Sequence, residues 1–247
     1  MEIESLELKT EKEYKEFLDY LFSIRDIEYR DFNTKIVVPV DCEIIGIRTP
    51  ILRDIAKKIA KTSSENFLNL FKKLFIKKKV KYYEEKVLYG FLIGYSRMDY
   101  QDRLRRIDFF INIIDNWAVC DLADSSFKFI NKNKEDFYKY LNSKLSATNP
   151  WEQRFIFVML LSYYVEDKYL KDIFKICEKI KSEEYYVNMA KAWLLSVCYV
   201  KHREETYKFL EKTKLDAWTV NKAIQKIRES LRVTKEEKEK ILVLKRK

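Results

Sequence analysis

Three glycines and three prolines serve 247 residues. Chains built of many tight β-turns need far more of both, so long elements with few breaks are required. The apolar pattern says what those elements are. "YKEFLDYLFSI" (14–24) sets Phe17, Leu18, Leu21 and Phe22 at helical spacing. "TPILRDIAKKIAK" (49–61) opens with Thr49 in the N-cap position and Pro50 at the first helical position, and its apolar face is Ile51, Leu52, Ile55, Ala56 and Ile59. "SSENFLNLFKKLF" (63–75) starts with serine caps and keeps the same period. Further helices read at about 82–95, 100–115, 117–130, 134–145, 150–165, 167–180, 183–199, 203–212, 215–230 and 234–243.

The connections, among them "KNKED", "SATNP", "VEDK" and "KSEE", are short and polar, and neither a linker nor a low-complexity stretch interrupts them. The expectation is therefore all-α. Helix pairs recurring about every 35 to 40 residues predict an α-solenoid of HEAT-like helical repeats, a single curved domain over residues 1–247. A closed helical bundle is the alternative, although about a dozen medium helices in series stack more easily than they close around one core. A solenoid offers its concave face to an elongated ligand.

Composition narrows the function classes. At 47% hydrophobic and 15% aromatic the chain is globular. No glycines stand at the spacing of a dinucleotide or P-loop phosphate cradle. The net charge of +10 points to polyanions, nucleic acid before anionic membrane. Abundant Lys, Ile, Asn and Tyr also fit an AT-rich coding bias, which lifts the charge without any ligand. Cys42, Cys120, Cys177 and Cys198 are scattered and His202 is the single histidine, so no metal cluster assembles by spacing and the thiols read as reduced and mostly buried. The acidic start "MEIESLELKT" has no apolar signal segment, and no apolar run approaches the roughly 20 residues of a membrane span. The expectation is a cytoplasmic protein without a membrane partner.

His202, in "YVKHREE", reads as an exposed surface residue, which leaves carboxylate, arginine and aromatic chemistry. Three stretches are unusual. In "IIDNWAVCDLAD" (113–124), Trp117 precedes Asp121 by four residues, so indole and carboxylate share a helix face. In "NPWEQRFIFVMLL" (149–161), Arg154 follows Trp151 by three. In "YYVNMAKAWLLSVCYV" (185–200), Trp193 lies four residues after Met189 and Lys191 is the only charge. Taken singly, each also reads as a packed Trp or a snorkelling cation.

Together with "IIGIRTPILRDIAK" (44–57), "NWAVCD" (116–121) and "NKAIQKIRESLRV" (221–233), these stretches resemble the AlkD-like family, the HEAT-repeat DNA glycosylases of DNA alkylation repair, over nearly the whole chain. In that family a Trp and an Asp four residues apart, an Arg from a later helix and a second Trp from a still later one form the active site. The resemblance puts those roles on Trp117, Asp121, Arg154 and Trp193. The 33 residues from Asp121 to Arg154 and 39 from Arg154 to Trp193 look like whole repeat steps. Three residues after the second Trp, related enzymes can carry an Arg suited to DNA; here it is Ser196.

The resemblance implies hydrolysis of the N-glycosidic bond of cationic N3- or N7-alkylated purines in duplex DNA, with no cofactor and no metal. The implied partner is double-stranded DNA containing alkylated bases, with no obligate protein partner, and the implied location is cytoplasmic and nucleoid-associated when DNA is bound. Trp151, Arg48, Arg53 and Lys191 are the candidate DNA contacts. "LFIKKKVKYYEEK" (74–86) reads as a solvated loop and the terminal "VLKRK" as a frayed tail. Two other classes remain open: a non-catalytic HEAT-repeat protein that binds damaged or branched DNA, and a protein-interaction solenoid.

Overall fold

A computed structural model describes residues 6–37 and 42–247. The start of the chain read as lacking a signal segment lies partly outside them, at residues 1–5. The described residues hold no strand, only an isolated parallel bridge between Glu43 and Tyr82. The chain divides into two compact units, Met1–Phe129 and Ile130–Lys247.

The first unit contains α1 (Glu11–Ser23), α2 (Ile27–Val37), α3 (Thr49–Thr62), α4 (Ser64–Ile76), α5 (Tyr83–Tyr95), α6 (Tyr100–Ile113) and α7 (Trp117–Asp124). From α3 to α6 each helix packs on its neighbour in sequence, and alternate helices stack more extensively, α3 on α5 and α5 on α7. That arrangement is the α-solenoid logic of helix pairs laid side by side. α5 is buried on every side and, after the charged Glu84, Glu85 and Lys86 of its first turn, is apolar from Val87 to Ile93, whereas α3 carries a single apolar stripe of Leu52, Ile55, Ala56 and Ile59. Two glycines let α7 approach α5. A Cβ on Gly90 would meet Ala123 Cβ at 2.9 Å, and one on Gly94 would meet Ser126 Oγ and its carbonyl O at 2.3 and 2.4 Å.

The second unit contains α8 (Lys134–Ser143), α9 (Pro150–Tyr163), α10 (Asp167–Lys179), α11 (Tyr185–Lys201), α12 (Arg203–Lys212), α13 (Ala217–Glu229), α14 (Lys235–Lys240) and a 3₁₀ turn at Ile241–Leu244. The same alternation recurs, with α9 on α11 and α11 on α13. Strongly amphipathic α10 buries Tyr169, Leu170, Ile173, Ile176 and Cys177 and leaves its lysines outside.

Several sequence expectations change. α2 has no counterpart among them, because its apolar residues make no inward stripe: Ile27, Phe32 and Ile36 point outward and only Asn33 and Val37 are buried. α7 ends at Asp124 instead of running to 130. Ser125 and Ser126 turn their hydroxyls onto the carbonyls of Leu122 and Ala123, which competes with further helix. Thr49 is the first helical residue and not the cap; Arg48 holds the N-cap position without a side-chain cap bond. The terminal "VLKRK" is anchored and not frayed, since Arg246 donates to the carbonyls of Leu210, Thr213 and Leu215. His202 is not exposed; its side chain is 13% accessible and Nδ1 lies 3.1 Å from Asp167 Oδ1.

The run at 74–86 is part loop, part core. Lys77 and Lys79 both pair with Glu11 on the surface, but Glu84, Glu85 and Lys86 are buried in the first turn of α5. The Glu84 carboxylate accepts the N–H groups of Ile45, Gly46 and Ile47 at 2.9, 2.8 and 3.2 Å, fixing the segment that leads into α3. Burial still pushes the Glu84 carboxyl above its usual range.

Candidate functional site

In the first unit the N-terminus of α7 is held by a buried polar relay. Lys86 Nζ of α5 pairs with Asp115 Oδ2 at 2.7 Å, both side chains being almost fully enclosed. Asp115 Oδ1 accepts from Asn116 Nδ2 at 2.8 Å, and Asn116 Oδ1 in turn caps α7 by accepting the Val119 N–H at 3.0 Å. Cys42 lies against the same carboxylate; burial first, then the Asp115 charge, pushes its thiol up to about 12.

Trp117 opens α7, and its indole N–H donates to the Ile36 carbonyl of α2 at 3.2 Å. That bond holds the ring half-buried at the junction of α2 and α7. Asp121 follows one turn later, also half-buried, so the indole and the carboxylate share the face the sequence predicted.

In the second unit α9 starts cleanly. Asn149 Oδ1 accepts the Trp151 N–H at 2.9 Å and Pro150 occupies the first turn. Trp151 then stacks on Tyr186 of α11, centroids 5.5 Å apart and planes 29° from parallel. Arg154, buried to 3%, donates from Nη1 to the Tyr186 carbonyl at 2.6 Å. Trp151 and Arg154 thus both grip the first turn of α11. Tyr186 was not singled out from sequence, because in "EEYYVNM" nothing separates it from a core tyrosine.

Trp193 lies two turns further along α11 and is 36% exposed. It borders a cavity of about 320 Å³ whose lining includes Ser196 and the cations Lys201, Lys226 and Arg232. Ser196 Oγ turns back onto the Trp193 carbonyl at 2.7 Å, so the charged lining of that cavity comes from Lys201 at the end of α11, from α13 and from Arg232 after it.

The remaining expected DNA contacts divide. Lys191 is a correction: it is 2% exposed and donates to the Ile180 carbonyl at 2.8 Å, and burial lowers its ammonium below the usual value. It supports the end of α10 from inside and is not the exposed surface cation the sequence suggested. Arg48 remains 56% exposed while paired with Asp26 at 2.7 Å. Arg53 donates to Tyr95 Oη at 3.1 Å and lies 4.5 Å over the Phe91 ring. Among the described residues no group of three or more His, Cys, Asp or Glu side chains could hold a metal ion, and no helix is long and apolar enough to cross a membrane.

A family profile described as DNA alkylation repair enzyme matches residues 8–227. The chain belongs to this family. No curated protein matches it. Family membership implies DNA as the substrate. The match takes in α1 to α12 and most of α13, and every residue assigned a catalytic role above falls within it. Trp117 and Asp121 belong to the first unit, Arg154 and Trp193 to the second. The family match ends at Ile227, so α14 and the anchored terminus lie beyond it.

Proposed function

We propose that the protein is a DNA N-glycosylase that releases cationic N3- and N7-alkylated purines from duplex DNA, using Trp117, Asp121, Arg154 and Trp193. An alkylated purine of this kind carries a formal positive charge and departs as a neutral base, so no acid is needed to protonate it. Positive charge builds instead on the deoxyribose, which becomes oxocarbenium-like. A fixed carboxylate at Asp121 stabilises that charge and orients the attacking water. The water oxygen bonds to C1′ as the C1′–N bond breaks, its proton is lost to solvent, and the electron pair of the broken bond neutralises the base. Trp117 and Trp193 present π faces to cationic sugar and base. Arg154, anchored on Tyr186, holds the α9–α11 junction that carries Trp151 and Trp193.

The observation that supports this reading most is the α7 arrangement: an indole and a carboxylate one turn apart on a helix whose start is fixed by a buried ion pair, in a chain of the DNA alkylation repair family. Preorganisation of that kind is what electrostatic stabilisation of a transition state needs. The test is release of free base from a duplex containing N7-methylguanine or N3-methyladenine. Release supports the proposal. Binding without release makes the protein a non-catalytic reader of damaged DNA, and neither makes it a protein-interaction solenoid.

A further inference from the structure

The C-terminal segment beyond the family match encloses a basic cleft. Lys222 and Arg228 of α13, Lys235 and Lys238 of α14 and Lys245 after the final 3₁₀ turn line one cavity of about 840 Å³. Its lining also holds two carboxylates, both engaged: Glu239 lies 3.7 Å from Arg228 and Glu229 accepts from Gln225 at 2.8 Å. Lys235, Lys238 and Lys245 form no ion pair among the described residues, and two of the three are exposed.

This cleft is built. Arg246 donates to three carbonyls at the end of α12 and in the connection to α13, while Asn221 and the Arg246 backbone exchange two bonds of 2.9 Å. Ile241 is fully buried. Arg203 ties down α14 through Glu237 at 2.6 Å, and Thr234 and Glu237 form a capping box.

The cleft adjoins the proposed site's second half. Glu229 lines both this cleft and the cavity in front of Trp193. On its other side Trp218 meets Tyr185 edge-on at 5.5 Å, Tyr185 meets Tyr186, and Tyr186 stacks on Trp151.

The geometry points to a second phosphate track for duplex DNA, where Lys235, Lys238 and Lys245 grip the backbone away from the lesion. The inference rests on duplex DNA being the substrate, not on the excision chemistry. Several flexible ammonium groups in an open trough suit a row of phosphates better than one small anion, which oriented donors would hold. A single strand would want a free aromatic face to stack on. Trp218 does not offer one freely, because Lys222 lies 5.6 Å over its ring and Tyr185 abuts it.

The experiment compares wild type with K235Q/K238Q/K245Q on an undamaged duplex over a range of salt. Each neutralised phosphate contributes about 0.9 to the slope of log affinity against log salt. The variant's slope should drop by about 2 to 3, with affinity reduced at least roughly tenfold near physiological salt. Thermal unfolding should be unchanged, and single-turnover excision at saturating DNA should also hold. An unchanged slope overturns the inference, as does a loss confined to single-stranded DNA. A reduced slope in a protein that releases no base keeps the track and sinks the glycosylase reading; normal release with an unchanged slope does the reverse. A wild type that fails to bind duplex overturns both.

Discussion

Asp121 and Arg154 carry opposite charges and different expectations. Asp121 is half-buried on a fixed helix, so its charge matters most when the sugar becomes cationic. Asp121→Asn should leave duplex affinity unchanged or tighter while costing about 3 to 4 kcal/mol of transition-state stabilisation, roughly 10²- to 10³-fold in rate. Single-turnover release from an N7-methylguanine duplex measures it, and a variant within about threefold of wild type removes Asp121 from the role. Arg154 is 3% exposed with Nη1 on the Tyr186 carbonyl, a geometry of support. Arg154→Ala should therefore slow release without altering the salt slope of binding; a slope lowered by about one unit would make it a phosphate contact after all.

At the scale of elements, α7 is placed by α5 in two ways, one polar and one steric. The polar one is Lys86–Asp115, enclosed on both sides. Lys86→Met leaves the Asp115 charge buried and uncompensated, a loss of about 3 to 5 kcal/mol. Lys86→Met with Asp115→Asn should recover most of it, because the pair then has no charge left to solvate. Urea unfolding of both variants checks this; equal losses would show that the cost comes from packing and not from charge. The steric one is Gly94, where a methyl group would run into the Ser126 carbonyl. Gly94→Ala should destabilise by about 1 to 3 kcal/mol and slow excision together, since the end of α7 must shift. A melting temperature within about 1 °C of wild type would mean the two helices part without strain.

Substrate charge tests the whole molecule. The proposed chemistry has a carboxylate and two indoles but assigns no group to protonate a leaving base, and His202 is paired with Asp167 instead of facing solvent. Lesions already cationic, N3-alkyladenine and N7-alkylguanine, should be released. Uracil and hypoxanthine, which leave as anions unless protonated, should be released slowly or not at all. Matched duplexes under single-turnover conditions give the comparison, and efficient uracil release would end the mechanism proposed here.

What the sequence determined by itself follows from periodicity. A 3.6-residue apolar repeat and very few glycines and prolines dictate helices, and helix geometry alone puts Trp117 and Asp121 on one face. Order and spacing were enough to read every described helix except α2. Tertiary packing decided the rest, because it sets which side of a residue meets water. Lys191 looks like a surface cation in "NMAKAWLL", yet the Ile180 carbonyl takes its ammonium group inside. α2 has no inward stripe to announce it, and its place shows only when the Ile36 carbonyl receives the Trp117 indole. Arg246 reads as tail until three carbonyls from distant helices converge on it. Each of these depends on a partner 11 to 81 residues away, and a local pattern holds no record of such partners.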